Sequence, residues 1–350
     1  MTGGPGRWRV FLPDPWTWEG WMLEALEAAG CTLTLGPAAD DPAAAPLGTD
    51  SMGRRLREVE GVVIHSREAI PAEALEGAER LLVIAKMGIG VERIDVGAAG
   101  AAGILVTNTP VAENYQGIAE ATVGLMLALL KRIPAKDRLL RSGGWRDRLA
   151  EGELLSEQTI GIVGLGRVGG RVADLLSGWP VSVLATDPAV SSRDASRRAV
   201  ELVPLGELLA RSSVLTLHAA RSAGDPPIIG AHELAAMRAG AYLVNTARGG
   251  LVDEAALVAA LRSGKLAGAA LDVFASEPLA IGHPLRTFEN VILTPHSVGT
   301  SRASQRAICQ AAVDCCLAAL RGEVPQYVVN PGAIPAWRKR WAQVSAGAPQ

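Results

Sequence analysis

Short apolar runs alternate with stretches of helical spacing along almost the whole chain. Trp8–Leu12, Thr32–Leu35, Val62–His65, Leu81–Ala85 and Ile104–Val106 have the composition and length of strands. Between them, 19–29, 51–59, 71–77 and 94–101 carry helical patterns. This rhythm predicts a parallel sheet covered by helices on both faces. A second series begins near Thr159, with strands expected at Ile160–Val163, Val181–Ala185, Val214–Leu217, Tyr242–Asn245, Ala267–Leu271 and Val291–Leu293. Their largely apolar character suits strands buried on both sides. The fold class is therefore α/β with two parallel sheets, and 350 residues exceed the usual size of one core. Pro37–Pro46, rich in Ala, Pro and Asp, reads as a surface loop. A last helical pattern, Ser301–Arg321, leads to Tyr327–Val329. The tail beyond Pro331 carries Trp337 and Trp341, and composition leaves open whether it is a disordered end or an arm on a neighbouring subunit.

Composition narrows the function classes. Against 34 basic residues stand 36 acidic ones, for a net charge of −2, and no basic run marks a nucleic-acid footprint. The longest apolar stretch, near Ile118–Leu130, is interrupted by Glu120 and is too short to span a bilayer. Met1–Arg9 holds glycines and a proline rather than an apolar leader, so a cytoplasmic protein without membrane contact is expected. Cys31, Cys309, Cys315 and Cys316 form no CxxC pair and read as reduced core thiols, with no metal site.

Gly164-Leu165-Gly166-Arg167-Val168-Gly169 is a G-x-G-x-x-G between a predicted strand and a predicted helix. In that setting Gly164 permits a tight turn, Gly166 lets a pyrophosphate approach the backbone, and Gly169 lets helix and strand pack closely. Asp187, just past the next strand, stands where a carboxylate accepts hydrogen bonds from an adenosine ribose. It favours NAD over NADP, although Asp187-Pro188 is also an ordinary turn pair and nearby Arg193 leaves a 2′-phosphate open.

Three polar residues each follow a strand of this second series: Arg248, Glu277 and His296. A 2-oxo acid presents a carboxylate and a carbonyl, and an arginine binds the first while polarising the second. Hydride addition leaves an alkoxide that needs a proton, and a histidine near neutrality supplies it. A carboxylate beside the ring orients it and raises its pKa. Singly, each has an ordinary reading as a sheet-edge cation, a loop carboxylate or a buried histidine. Together, behind the dinucleotide fingerprint, they point to hydride transfer.

With Met87–Asp95 and Asn108-Thr109-Pro110, these motifs make the chain, from about residue 60 to 330, resemble the D-isomer-specific 2-hydroxyacid dehydrogenases, phosphoglycerate dehydrogenases and glyoxylate reductases among them. The resemblance implies that Arg248 binds and polarises the substrate and that His296 is the acid/base with Glu277 as its partner. It implies substrate-carboxylate contacts at Met87, Gly88 and Ile89. Cofactor contacts carry over to Arg167, Val168, Asp187, Ala219, Thr246, Ala247, Asp272, Ser297 and Gly299. It further implies a discontinuous substrate domain (1–110 plus 300–333), an NAD-binding domain (111–299) of Rossmann type, an active-site cleft between them, a tail (334–350), D-specificity and a homodimer. The segment Ala219–Pro227 departs from the family pattern, and Trp16, Trp18 and Trp21 either line the cleft or pack in the core. Phosphite, or an oxo acid bearing phosphonate or phosphate, is an alternative substrate, with Lys86 and Arg221 as added charge. Glu277 stands where formate dehydrogenases carry glutamine. A non-catalytic NAD-sensing scaffold is the alternative outside the enzyme class.

Overall fold

The structure, a computed structural model, describes residues 7–17, 20–41, 43–146, 151–221 and 224–346, so that Trp18, Ser222 and Ala223 lie outside the described residues. The chain divides into two compact units, Met1–Asn114 with Arg302–Gln350, and Tyr115–Ser301.

In the first unit, β1 (Trp8–Leu12), β2 (Cys31–Leu35), β3 (Gly61–Ile64), β4 (Val83–Lys86) and β5 (Leu105–Thr107) form a parallel sheet in the order β2-β1-β3-β4-β5. The period-2 alternation of a strand is visible in how its side chains divide. Val10, Leu12, Val63, Val83 and Leu105 enter one core, and Phe11, Val62, Ile64, Ile84 and Val106 enter another. Helix α1 (Gly20–Ala28) covers the first face through Met22 and Leu26. Helices α2 (Thr49–Leu56), α3 (Ala72–Leu75) and α4 (Val96–Ala101) cover the second. Trp21 packs half-buried against the first core, with the Arg306 guanidinium 5.8 Å over its ring. The loop expected at Pro37–Pro46 is held by Arg67, which donates to the carbonyls of Pro37 and Ala38.

The second unit begins on α5 (Ala112–Leu130) and α6 (Ile133–Arg141). Its sheet runs β6 (Thr159–Val163), β7 (Ser182–Thr186), β8 (Glu201–Leu202), β9 (Val214–Leu217), β10 (Ala241–Asn245), β11 (Leu266–Leu271) and β12 (Val291–Leu293). All pairs are parallel, in the order β12-β11-β10-β9-β6-β7-β8. Helices α7 (Arg167–Leu176), α8 (Ser192–Ser196), α9 (Leu205–Arg211), α10 (Ala231–Ala236) and α11 (Glu254–Arg262) complete the two covering layers. The strand order reverses between β6 and β9, the switch point at which such sheets open a crevice beyond their carboxyl ends. Strand β8 escaped the sequence pattern because two residues cannot display a period.

The chain then returns to the first unit as α12 (Arg302–Leu320), whose Cys309, Val313 and Cys316 enter the core beneath β1, β3 and β4. The C-terminal segment, read from sequence as a tail outside both domains, instead forms α13 (Ile334–Ala346) in this unit. Trp337 is fully buried in the same core as β1 and β4. Arg340 donates to the carbonyls of Leu81 and Ala102 at 2.8 and 2.9 Å, and Trp341 Nε1 donates to Leu320 O at 3.0 Å. Among the described residues no helix is long and apolar enough to cross a membrane. Replacing Trp337 by Ala should cost about 3–5 kcal/mol in denaturant unfolding, the range for a large aromatic removed from a core. A loss below about 1 kcal/mol would show that α13 lies loosely on the unit.

Candidate active site

The second unit gathers its polar residues at the carboxyl ends of its strands. Asn245, the last residue of the wholly buried β10, sends its side chain back on the loop that follows: Oδ1 accepts from Ala247 N at 3.1 Å and Nδ2 donates to Arg248 O at 2.9 Å. That turn sets the backbone of Arg248. Gly249 comes next, and a Cβ there would lie 1.9 Å from the backbone carbon of Phe274. Only glycine lets the Arg248 loop pack against the loop that carries Glu277.

Asp272 follows β11 and is 4% exposed. Its Oδ1 accepts from Thr294 Oγ1 at 2.6 Å, Ser297 N at 3.0 Å and Val298 N at 3.1 Å, and its backbone carbonyl accepts from His296 N at 2.8 Å. These bonds wrap the loop after β12 around one buried carboxylate and leave His296 in the left-handed region, at φ 52°. Asp272, expected to contact the cofactor, thus also builds the loop that presents the histidine.

On that loop, His296 Nδ1 lies 2.7 Å from Glu277 Oε2, while Glu277 Oε1 accepts from Phe274 N at 3.0 Å. The carboxylate holds His296 above its ordinary value of 6.5, chiefly through this hydrogen bond, against partial burial and the Arg248 charge. Burial pushes Glu277 up, but its bonds to His296 and Phe274 N–H, with the charges of His296 and Arg248, bring it below its ordinary 4.5. A second histidine at a strand end, His218 after β9, is driven by burial down to about 3 and is therefore neutral. It bonds a hydroxyl, Thr216 Oγ1, at 2.9 Å, whereas His296 bonds a carboxylate.

The fingerprint sits at the switch point. Gly164 has φ +90°, and a Cβ there would lie 2.7 Å from Ala219 N; a Cβ on Gly169 would lie 2.0 Å from Gly164 O. Gly166, at the start of α7, has open space in that direction, which is the gap a pyrophosphate needs. Asp187 accepts from Leu165 N at 2.7 Å and from Ala189 N at 2.8 Å, so its carboxylate also ties down this loop. The arrangement fits a dinucleotide.

Other expected contacts have further tasks. Thr246 is buried with its hydroxyl 2.9 Å from Thr122 Oγ1, and a Cβ on Gly299 would lie 2.4 Å from the Ile118 side chain on α5. Arg167 is exposed and Val168 half-buried at the head of α7. The Arg221 side chain turns to Asp225 O and lies under Gly250. In the first unit the Met87 side chain is 3% exposed and belongs to the core, because the residue directly extends β4. The N–H of Gly88 (φ +102°) is spent on Thr109 Oγ1 at 2.7 Å, and the half-buried Ile89 accepts from Asn108 Nδ2 at 2.9 Å. Lys86 is buried with its ammonium on Ser66 Oγ and Met87 O.

Comparison with protein families matches residues 123–298 to the NAD binding domain of the D-isomer specific 2-hydroxyacid dehydrogenases. The chain is 39% identical over 259 residues to a D-3-phosphoglycerate dehydrogenase of Archaeoglobus fulgidus, covering 74% of this chain and 49% of that one. It thus spans about half the length of the phosphoglycerate dehydrogenases it matches. It is 36% identical over 292 residues to a glyoxylate reductase of Thermofilum pendens, covering 81% of this chain and 85% of the relative. The solved D-lactate dehydrogenase of Aquifex aeolicus, complexed with NAD and lactic acid, superposes with a TM-score of 0.80 at 26% identity over 92% of this chain and 99% of its own. The chain belongs to the D-isomer specific 2-hydroxyacid dehydrogenase family, and its cofactor class is a nicotinamide dinucleotide.

The dyad carries a pH signature. The raised His296 contributes stability fully present below 6.5 and lost as pH rises through its folded value. The depressed Glu277 contributes stability present above 4.5 and lost as pH falls through its folded value. Histidine NMR should therefore find His296 titrating above 6.5 and dropping in a Glu277→Gln variant. An unchanged titration in that variant would contradict the pairing.

Proposed function

We propose that this chain is an NAD-dependent dehydrogenase that interconverts small D-2-hydroxy acids and 2-oxo acids. The observation that carries the reading is the His296–Glu277 pair at 2.7 Å, standing beside Arg248 on the same sheet edge as the fingerprint. When bound, the nicotinamide supplies or accepts the hydride. Arg248 binds the substrate carboxylate and draws electron density from the carbonyl. With Nδ1 held by Glu277, the Nε2 atom of His296 is the one left to hand a proton to the forming alkoxide, or to take it back in oxidation. Glu277 fixes the ring and stabilises the imidazolium. Cofactor choice rests on Asp187, whose charge accepts ribose hydroxyls and repels a 2′-phosphate.

A second copy of this chain is the natural partner. Trp145 is 73% and Leu140 60% exposed, and these two neighbouring apolar side chains on and just after α6 are ones that dimerisation would cover. All four cysteines are buried as thiols, in keeping with a reducing cytoplasm.

The test is NADH oxidation against 2-oxo acids of two to five carbons, with phosphite and NAD as the alternative pair. Turnover of an oxo acid is expected, and kcat/KM for reduction should fall as pH rises through the His296 value, while oxidation rises. His296→Asn should lower kcat by about 10²–10⁴-fold with NADH affinity unchanged. Tight NADH binding without turnover of any oxo acid or oxyanion would overturn the reading. In a separate measurement, Asp187→Ala should weaken NAD and narrow its advantage over NADP; an unchanged ratio would remove Asp187 from cofactor choice.

A further inference from the structure

Glu254 opens α11 but does not cap it, since the N-cap role belongs to Asp253, whose side chain accepts from Ala256 N at 3.0 Å. The Glu254 side chain turns instead to the loop after β11. Its Oε1 accepts from Ala275 N at 2.6 Å. Its Oε2 lies 3.3 Å from His283 Nε2. On the far side of that ring, Nδ1 accepts from Leu285 N at 3.3 Å, which leaves the ring proton on Nε2 and makes it the donor to Glu254. Leu285 is itself fully buried in the unit's core. One carboxylate thus holds both ends of the segment 275–283, and Glu277 lies inside that segment.

We infer that Glu254 is a positioning residue: through Ala275 and His283 it fixes the loop that sets Glu277 against His296. The inference rests on the dehydrogenase reading for its kinetic consequence, but its structural content does not. The amide that Glu254 holds is adjacent to Phe274, whose N–H is bonded to Glu277 and whose backbone abuts Gly249 beside Arg248. Release of Ala275 therefore loosens the carboxylate and the contact that places the arginine. A carboxylate rather than an amide suits the task because it accepts from two donors at once, each bond strengthened by its charge.

The experiment compares Glu254→Ala, Glu254→Gln and His283→Ala with the wild type. The first readout is the titration of His296 in the intact protein by histidine NMR, its signal assigned by loss in a His296→Gln variant. The groups that face His296 are Glu277, Asp272 and Arg248, all unaltered. Glu254→Ala should move the His296 titration down toward 6.5 and lower kcat about tenfold with NADH affinity unchanged. Glu254→Gln keeps an acceptor for Ala275 N–H and should retain most of the wild-type titration and turnover. His283→Ala, which leaves the Ala275 bond, should shift the titration in the same direction by less. A wild-type His296 titration in Glu254→Ala would overturn the inference, and so would equal shifts in the Ala and Gln variants. If Glu254→Ala does not fold, the Gln and His283 variants decide it. Absence of turnover in the wild type would remove the dehydrogenase reading, while the titrations would still judge Glu254.

Discussion

The buried carboxylate of Asp272 is the point on which the site turns. It stands one residue past β11 with no solvent to satisfy it, and it meets that cost by accepting from Thr294, Ser297 and Val298. Those bonds leave the loop after β12 no freedom to straighten. His296 is held in a left-handed backbone that a loop without such anchors would relax. The same constraint recurs at the neighbouring strand ends. Asn245 folds the Arg248 loop back on itself, and Gly249 admits the Phe274 backbone. Three loops from three adjacent strands are thereby fixed by buried polar bonds and one missing side chain before any ligand arrives.

That rigidity gives the electrostatics their sign. A histidine free in a loop would sit near its ordinary value, but one held against a carboxylate is biased toward its protonated form. Arg248 works against that bias at His296 and with it at Glu277, so the carboxylate stays charged. The dyad thus pairs a histidine biased toward its charged form with a carboxylate that stays charged, within reach of the Arg248 charge. His218 shows the alternative outcome at a strand end: burial without a carboxylate leaves a neutral ring.

Much of this was legible in the sequence, for physical reasons. Strands buried on both faces are almost purely apolar, so both sheets and most of their strands declared themselves, and a G-x-G-x-x-G between strand and helix has few other uses. Arg248, Glu277 and His296 stood out because parallel sheets place their chemistry after strands. What escaped notice depends on contacts between distant residues. The burial of Trp337 needs the groove that α12 and the first sheet create, which no local pattern announces. The Met87 side chain enters the core because strand pleating carries one residue past β4. The bond from Gly88 N–H to Thr109 Oγ1 likewise joins residues twenty-one apart that no local pattern relates. Glu254 gave no signal, since a glutamate in a helix's first turn is ordinary.

On the proposed function, Arg248 and His296 meet one small oxo acid with Glu277 behind the ring. A crystal structure with the dinucleotide and an unreactive oxo-acid analogue tests it most directly. The Arg248 guanidinium is expected on the carboxylate and carbonyl, and His296 Nε2 within about 3 Å of the carbonyl oxygen. An analogue bound without contact to either side chain would contradict it.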